Sequence, residues 1–179
     1  MAEKKIQEFQ GIQLIPREKF YSELGSFSIT YLSGKTLENI FYQDSVSILE
    51  NANTLKGMHF QSREFSQAKL ITVLQGEIMD YFIDLRKNSP TYLDYGKAAL
   101  NDKNNDVLFI PKGFAHGYLT LKAKTIISYK LDSPYSPKHE VTLLWNDPKI
   151  NIKWPKTNQL HISKKDMKGL KFFEIEGKL

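Results

Sequence analysis

The sequence predicts an all-β sandwich or barrel, whose edges a jelly roll would close, with a short C-terminal helix, on three observations. Short segments rich in Ile, Val, Tyr, Phe and Thr recur along most of its length. Turn formers separate them at close spacing. Helical patterning is confined to two brief stretches. In chain order, strands are expected over Gly25–Tyr31, Val46–Leu49, Thr54–Phe60, Leu70–Gly76, Met79–Leu85, Tyr92–Leu100, Val107–Ile110, Gly117–Leu121 and Thr125–Leu131. Gln75-Gly76-Glu77 reads as a hairpin, Asn88-Ser89-Pro90 as a turn and Asn101–Asp106 as a polar loop. A short helix is expected over Thr36–Phe41. A second opens at Ser163-Lys164-Lys165-Asp166, an N-cap with an acid at the third position. Between Asn146-Asp147-Pro148 and Pro155, the stretch Ile150–Trp154 should run extended and wrap the barrel.

At 179 residues, 41% apolar and 12% aromatic, the chain is long enough to bury a core as one domain over 1–179. No repeat, linker or low-complexity tract divides it. No apolar run approaches the ~20 residues that cross a bilayer, and the charged start lacks a signal core. Without cysteine there is no disulfide framework, thiolate metal site or Cys nucleophile. A cytoplasmic location is the simplest expectation. The net charge of +5 comes from lysines scattered along the chain. Such scatter fits a solvated surface, and it also fits attraction of an anionic substrate. It does not fit nucleic-acid binding, for which no motif is present.

Two segments carry chemistry. Leu55-Lys56-Gly57-Met58-His59-Phe60-Gln61 resembles the first motif of a cupin, and Pro111-Lys112-Gly113-Phe114-Ala115-His116 the second. A metal-binding cupin uses His-x-His, a Glu and a later His. Here the second His is Gln61, and the Glu position ahead of Gly76 is Lys69. An ammonium cannot ligate a metal and repels one. The expectation is a pocket with no metal and no cofactor, refitted with a cation that stabilises an anion or oxyanion.

On strand alternation, Gly57, His59 and Gln61 share one face and Met58 and Phe60 the other. His beside Gln suits a cavity-lining face, although a hydrogen-bonded structural His has the same signature. Pro111 and Gly113 fix a turn that delivers His116 to the start of a strand. Lys69 reads either as a solvated strand-edge lysine or, in the cupin register, as an inward cation. Tyr129 and Tyr135 flank the turn at 130–134. A phenol can serve as a general acid and a second ring can stack on a sugar or base, but tyrosines are also common in β cores. Asp166 suits the first turn of a helix by its charge alone. It could equally orient His59 as the acid of a Ser-His-Asp triad does; spacing leaves both readings open.

Together these pieces resemble the bacterial dTDP-4-dehydrorhamnose 3,5-epimerase family from about Phe41 to Asp166. The likeness adds Phe41-Tyr42-Gln43-Asp44, Asp84-Leu85-Arg86-Lys87-Asn88-Ser89-Pro90-Thr91, Tyr135-Ser136-Pro137, Trp145-Asn146-Asp147-Pro148 and Trp154-Pro155. It implies a metal-free cupin jelly roll, and a homodimer in which the first fifty or so residues supply contacts. It implies inversion at C3 and C5, or C3 only, of a nucleotide-diphosphate 4-keto-6-deoxy sugar through an enolate. Carried over, His59 is the base, Asp166 its partner, Lys69 the enolate stabiliser and Tyr129 the acid on the opposite face. Tyr135 packs on the substrate, and Gln43, Lys56, Gln61 and His116 hold sugar or phosphate.

The chain departs from the family near its start, where Ser22-Glu23-Leu24-Gly25 and Ile29 lack an expected Arg and Glu. Lys56 stands for an Arg, losing bidentate geometry, and Ser45 for an Asn. With catalytic positions kept and nucleotide positions altered, a GDP-linked 4-keto-6-deoxy hexose or heptose is a candidate substrate beside the dTDP-linked one. Two other readings use the same pocket: a sugar-nucleotide 3,4-ketoisomerase, and a non-enzymatic or metal-binding cupin.

Overall fold

The computed structural model describes residues 1–32, 34, 37 and 40–178. Its strands are β1 (Gln13–Ile15), β2 (Phe20–Ser22), β3 (Gly25–Phe27), β4 (Gln43–Leu49), β5 (Thr54–Gln61), β6 (Lys69–Gln75), β7 (Glu77–Asp84), β8 (Tyr95–Asn101), β9 (Val107–Ile110), β10 (Phe114–Thr120), β11 (Thr125–Leu131), β12 (Glu140–Thr142) and β13 (His161–Ile162). Two one-turn helices follow, α1 (Lys164–Met167) and α2 (Phe172–Ile175). The helix expected over Thr36–Phe41 falls largely outside the described residues.

Two sheets face each other. One has the order β1-β9-β6-β11-β4; the other is β12-β5-β10-β7-β8, with β13 added to β5. Residues alternating inward from both sheets, among them Ile71, Val73, Ile78, Phe82, Leu108, Ile110 and Ile127, form the core between them. A second core lies on the outside of the β5-β10-β7 sheet. There Met58, Phe60, Tyr81 and Ile83 meet Ile150, Ile152, Phe172 and Ile175. The C-terminal segment therefore wraps the barrel as expected, pinned where the Trp154 indole donates to the Trp145 carbonyl at 2.8 Å. Burying a side chain such as Phe172 there contributes about 1.5–3 kcal/mol.

Two expectations are corrected. Gln75-Gly76-Glu77 is a turn but no hairpin, since β6 and β7 belong to different sheets. Gly76, at φ +88°, carries the chain across the gap, and its N–H donates to Asp102 Oδ2 at 2.8 Å. The strand expected from Tyr92 starts at Tyr95 instead. The preceding turn is wound around buried Asp84, whose Oδ2 accepts from Ser89 Oγ at 2.6 Å and Thr91 Oγ1 at 2.7 Å. Those hydroxyls and the Arg86 guanidinium hold Asp84 in a bent segment that a strand could not supply.

Candidate active site

At one end of the barrel the inward positions turn polar. Lys56 and His59 of β5, Lys69 of β6, His116 and Tyr118 of β10, and Tyr129 of β11 line one pocket, with Gln61, Tyr135 and Glu140 at its rim. The register explains why Lys56 joins His59. His116 pairs with His59 and Tyr118 with Lys56, so three residues of β5 span two of β10. This bulge breaks the simple alternation: Lys56, not Gly57, takes the inward position. Gly57 sits at φ +120°, and a Cβ there would come within 2.6 Å of Gly117 Cα, so the bulge requires glycine.

His59 Nε2 meets Asp166 Oδ1 at 2.6 Å. The acid reaches it because β13 pairs in parallel with the start of β5, His161 against Thr54 and Ile162 against Leu55. Ser163 then caps α1 by accepting from the Asp166 N–H at 3.0 Å, which leaves the Asp166 carboxylate free to face the imidazole. Burial works to raise the Asp166 pKa, but the bond to His59 and the Gly57 amide outweigh it and hold the carboxyl below its ordinary range.

His116 has its own acid. Its Nε2 lies 2.9 Å from Asp80 Oδ2, and both side chains are buried. Desolvation raises the Asp80 pKa against the pull of His116 and Lys69, and desolvation lowers that of His116. Lys69 points inward between the sheets, its Nζ donating to the His59 carbonyl at 3.4 Å. Burial pushes its ammonium down to about 8, opposed by Asp80 and Glu140. The Tyr129 hydroxyl donates to the Tyr118 hydroxyl at 2.8 Å, and burial pushes the Tyr129 phenol up to about 12.

Seven of the nine residues singled out in the sequence thus line the pocket: Lys56, His59, Gln61, Lys69, His116, Tyr129 and Tyr135. Asp166 stands behind His59, and Gln43 reaches the rim through the Tyr135 backbone. Gln61 and Lys69, which the sequence reading sets where a metal-binding cupin has His and Glu, both line the pocket. Among the described residues no three His, Cys, Asp or Glu side chains converge on a point. Sequence reasoning missed Asp80, Tyr118 and Glu140. Asp80 had a signal: it interrupts the inward row between Ile78 and Phe82, in the middle of a strand whose other charged residues, Glu77 and Asp84, stand at its two ends. Leu24 and Ile29 lie on and just beyond the β2–β3 hairpin, both exposed, and neither is among the pocket-lining residues.

The model of the dTDP-4-dehydrorhamnose 3,5-epimerase family matches residues 7–174. A dTDP-4-dehydrorhamnose 3,5-epimerase of Sinorhizobium fredii is 40% identical over 159 residues, covering 87% of this chain and 82% of that protein. Among solved structures, a Bacillus anthracis enzyme of the same name, with TDP and pyrophosphate bound, superposes with a TM-score of 0.86 at 40% identity, covering 90% of this chain and 94% of the other. A Legionella pneumophila dTDP-6-deoxy-D-glucose-3,5-epimerase in complex with dTDP-4-keto-L-rhamnose gives 0.82 at 30% identity, over 88% and 91%.

Proposed function

We infer the reaction from one premise: the chain belongs to the dTDP-4-dehydrorhamnose 3,5-epimerase family. It is an isomerase that inverts C3 and C5, or C3 only, of a nucleotide-activated 4-keto-6-deoxy sugar by proton abstraction, and it has the cupin-like jelly roll of that family. The observation that carries the mechanism is the placement of His59 and Tyr129 on facing sheets, with the Lys69 ammonium between those sheets.

A C–H beside a ketone becomes acidic only when the enolate charge is stabilised. With Nε2–H donated to Asp166, His59 keeps a lone pair on Nδ1, and that nitrogen takes the proton from the sugar carbon. Asp166, held ionised, stabilises the imidazolium that forms. Lys69, still largely charged at neutral pH, faces the developing oxyanion at C4 in a pocket of low dielectric. Tyr129, fully protonated at neutral pH, returns a proton from the opposite face and completes inversion. His116 and Lys56 offer the remaining pocket contacts to sugar and phosphate. Bond order is restored at each centre with no net redox.

The dTDP-linked substrate is favoured over the GDP-linked one, because the relatives in the comparison are named for dTDP sugars. The ketone-shifting and metal-binding readings find no such support. Heavy-water exchange tests the reaction: enzyme with a dTDP-linked 4-keto-6-deoxy sugar should place deuterium at C3, with or without C5. No exchange on any 4-keto sugar nucleotide sinks it. Calorimetry against GDP-linked counterparts should show preference for dTDP.

A homodimer belongs to the same reading. Phe20, Tyr21, Leu24 and Phe27 of the β2–β3 hairpin, and Val46 and Ile48 on edge strand β4, are exposed apolar groups that a second copy would cover. Sedimentation as a monomer at micromolar concentration would remove this part. No described helix is long and apolar enough to cross a membrane, and we place the enzyme in the cytoplasm, which fractionation can check.

A further inference from the structure

The rim of the pocket is tied together by contacts that the mechanism above does not use. Tyr135, on the segment between β11 and β12, has its ring half exposed at the pocket mouth. Gln43 Oε1, from β4, accepts from the Tyr135 N–H at 2.9 Å. Gln61 Oε1, from β5, accepts from the neighbouring Ser136 N–H at 2.5 Å. Glu140 Oε2, from β12, accepts from the Tyr135 hydroxyl at 2.7 Å and also from Lys165 Nζ. Three strands, drawn from both sheets, thus hold Tyr135 and its neighbour Ser136, by their two backbone amides and the Tyr135 phenol.

We propose that Gln43, Gln61 and Glu140 are positioning residues that preset Tyr135 over the pocket mouth, in place of the direct sugar or phosphate contacts the sequence assigns to the two glutamines. The inference rests on the epimerase reading and gives these residues a role within it. The hydrogen bonds argue for it. Gln61 is buried, and its Nε2 donates to the Phe65 carbonyl at 2.9 Å and the Pro134 carbonyl at 3.5 Å, so both ends of the amide are engaged by the rim. Gln43 Nε2 donates to Ser45 Oγ at 3.0 Å while its oxygen holds Tyr135. Turning either amide toward a ligand breaks these contacts and leaves their partners unsatisfied. Glu140 fits the same role. A bare carboxylate at the mouth would repel a diphosphate, whereas here Lys165 neutralises it and its oxygen is occupied by Tyr135. An aromatic ring at an open mouth loses rotamer freedom when a ligand packs on it, and that loss weakens binding. A ring already fixed in the empty protein avoids that cost.

A double-mutant cycle separates this role from direct contact. KM and kcat for a dTDP-linked 4-keto-6-deoxy sugar are measured for Gln43→Ala, Gln61→Ala and Tyr135→Ala, and for each glutamine change combined with Tyr135→Ala. Each glutamine substitution should raise KM about ten-fold with kcat changed less than about two-fold. Added to Tyr135→Ala, it should change KM less than about two-fold further. Equal factors in both backgrounds, or single variants with unchanged KM, overturn the proposal. Gln43, half-buried at the rim, carries the cycle if Gln61→Ala does not fold, and thermal melting of each variant identifies that case. Failure of heavy-water exchange in the unaltered enzyme defeats the epimerase reading; exchange with additive KM effects defeats this inference alone.

Discussion

Two histidine–aspartate pairs stand side by side in this barrel, and the proposed mechanism gives them different work. His59 and His116 are direct partners across β5 and β10, yet their acids come from opposite directions. Asp166 arrives from a helix beyond the sheet edge. Asp80 comes from the next strand inward, opposite Tyr118. The first pair is closer, at 2.6 Å, and its histidine is 22% exposed to the pocket; the second lies at 2.9 Å with a 6% exposed histidine. Their electrostatics diverge accordingly. Asp166 is held below the ordinary carboxylate range and Asp80 above it. An imidazole that must gain and lose a proton needs an ionised partner and an open side. One that only offers a contact to sugar or phosphate can be more nearly sealed in. In the proposed mechanism it is accessibility, more than residue identity, that assigns the proton-transfer role.

That contrast can be broken by substitution. The largest effect should follow His59→Ala, which removes the base and lowers deuterium incorporation by about a thousand-fold or more. An equal loss from His116→Ala at unchanged substrate affinity would erase the distinction. Next, Asp166→Asn should lower kcat by about a hundred-fold with little change in melting temperature. Asp80→Ala should do the reverse: leaving the buried His116–Lys69 side of the site without its carboxylate should cost about 3–5 kcal/mol, or roughly 10 °C in melting temperature. If Asp166→Asn proves the more destabilising of the two, the assignment of roles fails. Tyr129→Phe should cut inversion more than it cuts exchange at C3, because the phenol acts after the proton has left. Product NMR beside mass-detected exchange reads the two rates, and a parallel fall would put Tyr129 in the first step.

The smallest effect is a pH dependence from Lys69. Its folded pKa of about 8 lies below its ordinary value. The reactive cation is therefore present below pH 8, and kcat should decline as pH rises through it. The stability term runs the other way. Between about 8 and 10.5 the unfolded chain holds a proton at this position that the folded one has lost, so stability should rise with pH in that window. Lys69→Met should flatten both profiles; a variant that keeps the same rise in stability assigns it to another group.

Much of this was legible because it is local. Val107–Ile110 and Thr125–Leu131 are strands with the expected bounds, since each is a compact β-branched and aromatic run between polar turns. Ser163 caps α1 as the pattern Ser-Lys-Lys-Asp predicts. The cation at Lys69 was visible against the metal-binding pattern it replaces. What escaped is set by pairing at a distance. Nothing in His161-Ile162 announces a two-residue parallel strand, yet that strand brings Asp166 to His59. Alternation placed Gly57 inward, and only the opposing register of β10 reveals the bulge that substitutes Lys56. The glutamine contacts to the Tyr135 and Ser136 amides depend on backbone groups that carry no residue code.

The late position of β13 has a consequence for the order in which the site is assembled. A chain made from its N-terminus can bring β4 through β12 together before residue 161 has appeared. At that stage His59 already faces the cavity, but its aspartate does not yet exist. On the proposed mechanism the barrel is thus a container before it is a catalyst, completed only when a late thread of polypeptide across its outer wall delivers the carboxylate.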